Sequence, residues 1–439
     1  MLLSRCLSSG LQTRYIRPMR SFRIVAPAQR IPLVEALLRA EGFAFEPEPF
    51  APSICRRLTV EPFALGESLA AFFGYVYIQD RSSMLPPLLL NPPEGAAVLD
   101  MCASPGSKTG LLAQLVGQGG FVLGNEPSRD RLETLRQNLR RMNLLQAATC
   151  TYSGERLPLA ARSWKCIQLD PPCSGWGTVD KNPQVMTLWS PDKVEPLVRL
   201  QRELLRTAAE LVAPGGRVLY STCTTNVREN EEQTAWAAQE LELEIRPLDP
   251  PAGFSFEPAL GGLAGVLRVD QVASGAQGFF LACLEKPGSS GEAGESDESE
   301  GSGDERRARL PGSELRPASL GLADVFDWSL LPPGRIYDFG GKVFFLPEQA
   351  LDLPASLRWQ GYLLGKLAGK TLRPQARLRT MLREDGEVMR LDDPAGVRAL
   401  LSGRSLEGAG HGAYAGLWCQ GLPLGVLTRK GRRLLWAGG

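Results

Sequence analysis

The chain has 439 residues, 43% of them hydrophobic and 22% charged, which is the composition of an ordinary globular protein. This length suggests about two to four domains, and no apolar run reaches the ~20 residues that a membrane-spanning helix needs. The net charge of +1 hides an uneven distribution, because the stretch 287–305 carries seven acidic residues and no basic one. Without those seven charges the rest of the chain would carry +8, which is compatible with a nucleic-acid partner.

Cysteine and histidine usage narrows the chemistry. The nine cysteines are an odd number and form no C-x-x-C pair, so a disulfide framework and a zinc site are both disfavoured. We therefore expect reduced thiols, no bound metal, a cytoplasmic location and a monomer. The single histidine, His411, leaves little material for histidine acid–base chemistry.

The first ninety residues contain two predicted parts. Residues 1–21 form a basic extension that resembles an organellar transit peptide, although a plain extension is the interpretation we favour. Residues 22–90 predict a small mixed α/β unit, because 32–43 has helical spacing and 74–80 alternates like a strand.

The segment 91–286 repeats a pattern of strand, glycine-containing turn and helix. The predicted strands are 98–101, 121–126, 166–170, 217–222 and 278–285, and the predicted helices are 108–116, 129–142 and 197–212. Strands that alternate with helices predict an α/β fold with a doubly wound parallel sheet. Ligands of such sheets bind beyond the carboxyl ends of the strands.

The remainder of the chain divides into a linker and a C-terminal part. Residues 287–313 are rich in glycine, serine and glutamate and almost free of apolar residues, which predicts a disordered acidic linker. The C-terminal part is rich in glycine and predicted strands, and we divide it into an accessory domain, 314–385, and a β-rich domain, 386–439.

Polar motifs follow the first two strands of the predicted sheet. The motif VLDMCASPGSKTG (98–110) places a strand, a glycine turn and a helix N-terminus in succession, so backbone N–H groups would face an anionic group. The carboxylate of an amino-acid-like cofactor suits this turn, whose spacing fits neither a dinucleotide motif nor a P-loop. Glu126 ends the next strand, where an acid commonly accepts hydrogen bonds from ribose hydroxyls. Each feature alone is also consistent with an ordinary turn or a solvent-exposed acid.

Two cysteines follow two further strands. The motif DPPCSG (170–175) presents Asp170 and Cys173 on a backbone fixed by prolines, and Cys223 follows the strand 217–222. A single cysteine is most often a small buried apolar side chain. Two thiols beside polar residues at strand ends favour chemistry in one cleft.

Several motifs resemble a known family when they are taken in chain order. CASPGSKT, DPPCSG and YSTCTTNVRENE are similar to the motifs of the NOL1/NOP2/Sun RNA cytosine-C5 methyltransferases, over about residues 22–286. The C-terminal part resembles the accessory and PUA-type domains of the RsmF-type branch of that family. The resemblance implies a Rossmann-like class I methyltransferase fold, S-adenosylmethionine as the cofactor and 16S ribosomal RNA as the substrate, with RNA-binding units at both ends.

The resemblance also implies a role for each matching residue. Glu126 would bind the cofactor ribose with Arg131 beside it, and Asp170 would lie between the cofactor and the target base. Cys223 matches the nucleophile, and Cys173 matches the second cysteine, which assists product release. The loop that would hold the amino-acid end of the cofactor consists of Cys102, Ala103, Ser104, Pro105, Gly106, Ser107 and Lys108.

The chemistry of cytosine agrees with these roles. C5 is too weak a nucleophile to accept a methyl group unaided, and a thiolate that adds to C6 makes C5 enamine-like. The thiol must ionise, so its pKa should lie below about 8.5, and Lys181 is a candidate for the nearby cation. Asp170 would stabilise charge that develops on the ring. The base that removes the C5 proton stays open between water and a carboxylate.

Contacts with RNA and with the adenine are less defined. The target base must be unstacked, and arginines of the helix 129–142 are candidates for phosphate contacts, although a solvent-exposed face explains most of them. Trp176, Trp189 and Trp418 are candidates for base stacking but are more often core residues. The sequence 152–155 reads YSGE where the family often has an aspartate near the adenine.

Four alternatives remain. An amino-methyltransferase usually has an aromatic residue after D-P-P, whereas this chain has Cys173, and a DNA cytosine methyltransferase would place its nucleophile in the proline–cysteine motif. Transfer RNA is an alternative substrate. A non-catalytic RNA-binding assembly factor is the fourth alternative, because a fold alone does not establish activity.

Overall fold

The structure is a computed structural model that describes residues 20–188, 190, 193–288, 312–436 and 438. The predictions for Trp189, for nearly all of the basic extension and for most of the acidic linker therefore lie outside the described residues.

The N-terminal unit is a small antiparallel sheet with two helices. Its elements are β1 (Ser21–Ile24), α1 (Ile31–Ala40), β2 (Ala44–Pro47), β3 (Cys55–Val60), α2 (Leu69–Phe72) and β4 (Val76–Ile78). The strand order is β2-β3-β1-β4, and every pair is antiparallel. Helix α1 buries Val34, Leu37 and Leu38, the apolar stripe that its spacing predicts.

The central unit contains the doubly wound α/β fold. Its first elements are α3 (Arg81–Leu90), β5 (Ala97–Asp100), α4 (Ser107–Val116), β6 (Phe121–Asn125), α5 (Arg129–Met142), β7 (Ala147–Cys150), β8 (Trp164–Leu169) and α6 (Val185–Leu188). Its later elements are α7 (Glu195–Leu211), β9 (Val212–Thr222), α8 (Glu231–Glu240), β10 (Glu244–Arg246), β11 (Phe256–Glu257), β12 (Leu267–Val269), α9 (Gln271–Ser274) and β13 (Phe280–Glu285).

The central sheet is mixed rather than wholly parallel. Strands β7-β6-β5-β8-β9 are parallel, as predicted, but β13 runs antiparallel to β9. The reason is the short connection between β12 and β13, which contains only the four-residue helix α9. A parallel return needs a crossover of a dozen or more residues, so β13 pairs with β12 in the antiparallel sense.

The C-terminal part contains two five-stranded sheets. Its elements are β14 (Ser313–Leu315), β15 (Gly334–Phe339), β16 (Lys342–Pro347), β17 (Trp359–Gln360), β18 (Tyr362–Ala368), β19 (Thr371–Pro374), β20 (Val388–Leu391), α10 (Pro394–Leu401), β21 (Leu406–Glu407), β22 (Tyr414–Cys419), β23 (Leu422–Lys430) and β24 (Arg433–Trp436). The strand orders are β14-β15-β16-β18-β19 and β20-β22-β23-β24-β21. Strand β17 belongs to neither sheet and pairs with β7 of the central unit.

The two ends of the chain pack together. Apolar residues of the N-terminal sheet and of the last C-terminal sheet form one buried cluster. The Tyr75 hydroxyl donates to the carbonyl of Pro423 at 2.6 Å, and the rings of Phe73 and Trp436 meet edge to face at 5.4 Å. Within the described residues, no helix has the length and apolar character that crossing a membrane requires.

Candidate active site

The glycine turn after β5 opens helix α4 with its backbone donors uncapped. Gly106 precedes the helix with a φ of 103°, and it has no side chain to cap the first N–H groups. A Cβ there would lie 2.9 Å from Leu135 Cδ1. Glycine is therefore needed at this position for two reasons: it allows the left-handed backbone conformation, and it allows α5 to approach closely. The helix N-terminus thus offers donors and a positive dipole end to an anionic group.

Helix α5 fixes the loop between β5 and α4. Ser104 Oγ donates to the carbonyl of Arg131 at 2.9 Å, and the Arg131 guanidinium donates to the carbonyl of Ser104 at 3.2 Å. The amide of Asn138 donates to the carbonyl of Pro105 at 2.8 Å. The residues predicted to hold a cofactor therefore form one braced loop, in which burial raises the pKa of Cys102 well above its ordinary value.

A buried acid stands at the end of the neighbouring strand β6. The Glu126 side chain is 2% exposed, accepts from the Ser128 N–H at 2.9 Å and lies 3.4 Å from the Arg131 guanidinium. A buried carboxylate beside a glycine turn at the carboxyl end of a parallel sheet suits the hydroxyls of a ribose. Together with the uncapped helix α4, these residues fit a cofactor that carries both an amino-acid carboxylate and a ribose.

The loop after β7 lies beside this acid. The side-chain amide of Asn125 forms two hydrogen bonds with the backbone of Tyr152. It accepts from the Tyr152 N–H and donates to the Tyr152 carbonyl, both at 3.0 Å. The hydroxyl of Ser153 is hydrogen bonded to the carboxylate of Glu155. The backbone N–H of Arg358, in the C-terminal part, donates to the Tyr152 hydroxyl at 2.7 Å.

The two predicted cysteines meet at the ends of neighbouring parallel strands. Cys173 Sγ lies 3.4 Å from Cys223 Sγ, on the loops after β8 and β9. The hydrogen bond from the Cys173 thiol lowers the pKa of Cys223, and the Lys108 ammonium acts in the same direction, against burial and the charge of Asp170. The same hydrogen bond, together with burial, raises the pKa of Cys173 well above its ordinary value. These surroundings favour ionisation of Cys223 over ionisation of Cys173.

A lysine and an aspartate border the thiols. Lys108 Nζ lies 2.7 Å from Asp170 Oδ2, and Ser221 Oγ donates to Asp170 Oδ1 at 2.9 Å. Burial lowers the pKa of Lys108, but the attraction of Asp170 outweighs it, and the net pKa is raised. Our expectation for Lys181 is corrected here, because its ammonium pairs with Asp80 at 2.5 Å and the cation that favours the Cys223 thiolate is Lys108.

A buried network that the sequence reasoning missed joins the two cysteine loops. The Glu229 carboxylate is fully buried and accepts from the Ser174 N–H at 2.9 Å and from the Ser174 hydroxyl at 2.5 Å. It also accepts from the side-chain amides of Asn226 and Gln201, at 2.9 and 3.0 Å. The Ser174 and Thr224 hydroxyls are 2.7 Å apart, which links the residue after each cysteine directly. The signal was present in the N-V-R-E-N sequence, but its partners lie some 30 to 55 positions away.

Most other candidate RNA contacts serve the fold. Trp418 is 1% exposed and belongs to the core. On α5, the Arg136 guanidinium donates a hydrogen bond to the hydroxyl of Thr149, and the Arg141 guanidinium donates one to the carbonyl of Ala71, both at 2.9 Å. Among the described residues, no three His, Cys, Asp or Glu side chains cluster in a way that could hold a metal ion.

A doubly wound sheet with an uncapped glycine turn at its first strand and a buried acid at its second defines a class I methyltransferase, whose cofactor is S-adenosylmethionine. Residues 87–285 match the family described as 16S rRNA methyltransferase RsmB/F. The match spans just under half of the chain, and it supports the RsmF-like relationship that the motifs indicate.

Individual relatives agree with that assignment. Ribosomal RNA small subunit methyltransferase F of Shewanella amazonensis is 36% identical over 226 residues, which are 51% of this chain and 47% of that protein. The protein of the same name from Cronobacter sakazakii is 34% identical over 281 residues, 62% of this chain and 58% of that protein. The chain thus spans about half the length of the curated relatives that it matches.

Solved structures show the same fold. The crystal structure of a methyltransferase homolog protein from Pyrococcus horikoshii has 31% sequence identity and a TM-score of 0.53, and the match covers 61% of this chain and 86% of that chain. NSun6 from Pyrococcus horikoshii has 21% identity and a TM-score of 0.54, covers 61% of this chain and 91% of that chain, and supports the fold alone.

Proposed function

We propose that this protein methylates C5 of a cytosine in RNA through a covalent bond between Cys223 and C6 of the base. The observation that carries the proposal is the pair of thiols 3.4 Å apart, with the more acidic one beside a buried lysine. An amino-methyltransferase would need no thiolate. Methylation at N4 therefore does not explain why the pKa of Cys223 is lowered.

The thiolate of Cys223 adds to C6, and the electron pair of the C5–C6 double bond moves toward C5. Negative charge develops on the ring at O2 and N3 during this addition. Asp170 is held by both of its oxygens, by Lys108 and by Ser221, so its position is fixed before the base arrives. The Lys108 ammonium, 2.7 Å from Asp170, would offset the charge that is added to the ring.

S-adenosylmethionine, when bound, supplies the electrophilic methyl group that C5 accepts. The loop Cys102–Lys108 would hold its amino-acid end, with Glu126 and Arg131 at its ribose. After methyl transfer a base removes the C5 proton, and the bond between C6 and Cys223 breaks. The Cys173 thiol, 3.4 Å from the leaving sulfur, is the proton donor best placed to assist that release.

The substrate we propose is ribosomal RNA of the small subunit, because the matching family and the curated relatives carry that activity in their names. The base must leave its stack to reach Cys223. The C-terminal sheet with strands β20 to β24, which resembles a PUA-type domain, would add a second contact with the RNA.

The test is a methyl-transfer assay with labelled S-adenosylmethionine, small ribosomal subunits and naked ribosomal RNA, followed by nucleoside analysis. We expect 5-methylcytidine from the wild-type protein and none from Cys223→Ala, because that variant lacks the thiolate that is proposed to add to C6. Cys173→Ala should instead accumulate an RNA–protein adduct that survives a denaturing gel, because release is impaired.

Three outcomes would contradict the proposal in different ways. Appearance of N4-methylcytidine would reject C5 chemistry. Full activity of Cys223→Ala would reject the nucleophile. Transfer to transfer RNA alone would reject the ribosomal substrate while keeping the mechanism.

A further inference from the structure

A groove runs between the N-terminal sheet and the central unit. Two adjoining cavities of about 640 and 660 Å³ share the side chains of Asp80, Arg81 and Lys181 as common walls. Arg81 is buried and braces the groove from within, since its guanidinium lies 3.0 Å from the Glu48 carboxylate and donates to the carbonyl of Gly253 at 2.9 Å. The groove is therefore a built feature of the fold.

The second cavity ends against the backbone of the loop after β8, which carries Cys173. Gly177 and Thr178 line it, four and five residues after Cys173. The Gly177 N–H donates to the carbonyl of Cys223 at 3.0 Å, and the Gly177 carbonyl accepts from Gly278 at the same distance. The groove therefore reaches main chain that is hydrogen bonded directly to Cys223.

The lining combines cations with exposed aliphatic side chains. Arg20, Arg57 and Lys181 stand at the rim, each 34 to 51% exposed. The two arginines pair with carboxylates that are 30 and 60% exposed, and such exposed ion pairs are weak, so a phosphate can replace the carboxylate at small cost. Lys181 pairs with Asp80, which is only 14% exposed, but an ammonium has three donors and can contact a phosphate while it keeps this partner. Val272 is 90% exposed and Ile78 is 39% exposed, which offers apolar surface to sugars and base faces.

The charge balance favours a single strand over a duplex. The acidic side chains Glu61, Asp80 and Asp180 also line the groove, so its net charge is small. A duplex would meet a continuous row of phosphates and needs a strongly basic surface. Unpaired nucleotides bring few phosphates and expose base faces, and they match a groove with scattered cations and aliphatic patches.

We propose that this groove binds the single-stranded nucleotides that flank the target cytosine on one side, with Lys181 and Arg57 at phosphates and Val272 against a base or sugar. The proposal rests on the proposed function, because it takes Cys223 as the position of the target. It adds a substrate-binding site distant from the cofactor loop.

Introducing opposite charges at position 272 tests the groove without disturbing the fold. Because this side chain is 90% exposed, both Val272→Glu and Val272→Lys should fold as the wild type does. For a short single-stranded RNA centred on the methylated cytosine, we expect Val272→Glu to raise the dissociation constant about tenfold, and Val272→Lys to leave it equal or lower. Binding of S-adenosylhomocysteine should be the same for all three proteins.

Salt dependence tests the phosphate contacts. Lys181→Ala and Arg57→Ala should each lower the slope of log K against log salt by about 0.7, the loss of one single-strand phosphate contact. Arg246→Ala is the matched control, since Arg246 is an exposed arginine paired with Glu285 at 2.7 Å outside the groove, and its slope should stay unchanged. Single phosphates of the RNA can also be replaced, one at a time, by a neutral methylphosphonate. At one position this replacement should weaken binding to the wild type but leave binding to Lys181→Ala unchanged.

The outcomes separate this inference from the function on which it rests. If Val272→Glu and Val272→Lys bound RNA equally well and both cation variants kept the wild-type slope, the proposal that the groove binds RNA would be wrong. The proposed methylation would still stand if 5-methylcytidine formed. A wild-type protein that neither bound nor methylated RNA would overturn both.

Discussion

Cys223 and Cys173 are chemically distinct although their sulfur atoms are in contact. Their hydrogen bond lowers the pKa of Cys223 and raises that of Cys173, so negative charge is favoured on Cys223. The Lys108 ammonium, which forms a salt bridge with Asp170, also lowers the pKa of Cys223. Two otherwise equivalent thiols are thus assigned different tasks by their surroundings.

The asymmetry predicts the pH dependence of Cys223 alkylation. Because the pKa of Cys223 is lowered, its reaction with iodoacetamide should reach half its maximal rate at a pH below the free-cysteine value of about 8.5. Replacing the donor in Cys173→Ala should move that midpoint to higher pH, and Cys173→Ser, which keeps a donor, should move it less. Mass spectrometry of the Cys223 peptide over a pH series measures this, and identical midpoints in all three proteins would contradict the assignment.

Glu229 is predicted to position the cysteine loops. Glu229→Leu leaves the Ser174 N–H and two side-chain amides without their acceptor, so we expect a loss of about 1–3 kcal/mol in the free energy of unfolding. Glu229→Gln keeps the shape and one acceptor and should lose less. Denaturant unfolding measures the stability, and the alkylation midpoint of Cys223 should also shift. A loss of stability with no change in that midpoint would limit Glu229 to a purely structural role.

At the scale of elements, a close approach of two glycines joins the loop after β8 to the start of β13. A Cβ on Gly177 would clash with the carbonyl oxygen of Gly278 and come within 2.9 Å of the Cys223 carbonyl oxygen. At Gly177 the loop after β8 therefore approaches the Cys223 loop and the start of β13 main chain to main chain, and it has no room for a side chain at this point.

Gly177→Ala is predicted to separate the reacting groups while the protein remains folded. A displaced loop misplaces Cys223, and small misplacements of reacting groups cost about 10²-fold in rate. We expect that order of loss in the rate of methyl transfer, with a circular dichroism spectrum like that of the wild type. Gly119→Ala is the control, because a Cβ there meets no atom within 4 Å. Equal rates for the two variants would reject the main-chain contact as a determinant of activity.

The regular elements of the central unit were largely predictable from local pattern. Helix α5 begins and ends where the sequence predicts, at Arg129 and Met142, because its Ser128 cap and its leucine spacing are local signals. The strand predicted over 217–222 is longer than expected, because α7 ends at Leu211 and β9 begins at Val212 and runs through 214–216. Three proline and glycine residues there lie within the strand β9, whose pairing with β8 shifts register at this point.

The candidate site was predictable as far as its loops. Strand ends bring Glu126, Asp170, Cys173 and Cys223 to one edge, which follows from the parallel sheet. Which cation faces the thiol could not be predicted, because Lys108 reaches Asp170 across 62 positions of sequence. Side-chain direction after a loop depends on packing that no local pattern encodes.

At the scale of the whole molecule, the two ends of the chain form one packed body. The N-terminal sheet and the last C-terminal sheet share a buried cluster, and Arg379 ties both to the central unit through the carbonyls of Gly74 and Met142, at 3.1 and 3.2 Å. The C-terminal part is therefore anchored to both of the other units.

Trp436→Ala is predicted to weaken the packing between the N-terminal sheet and the last C-terminal sheet. The indole packs edge to face against Phe73 and is only partly buried, so we expect a loss of about 2 kcal/mol, less than for a fully buried tryptophan. Thermal unfolding should show the loss as a single shifted transition. Two separate transitions would mean that the ends unfold independently of each other.

The pairing of β17 with β7 has a consequence for how the protein can be divided. Trp359 and Gln360 cover the outer edge of the central sheet, and the apolar side chains of Leu353 and Leu357 cover surface beside it. A fragment that stopped at the end of the matched family region, residue 285, would present β7 as a bare strand edge, which is a template for aggregation. A segment far along the chain thus protects the central sheet from edge-to-edge association, and a fragment without it is expected to self-associate more than the full chain.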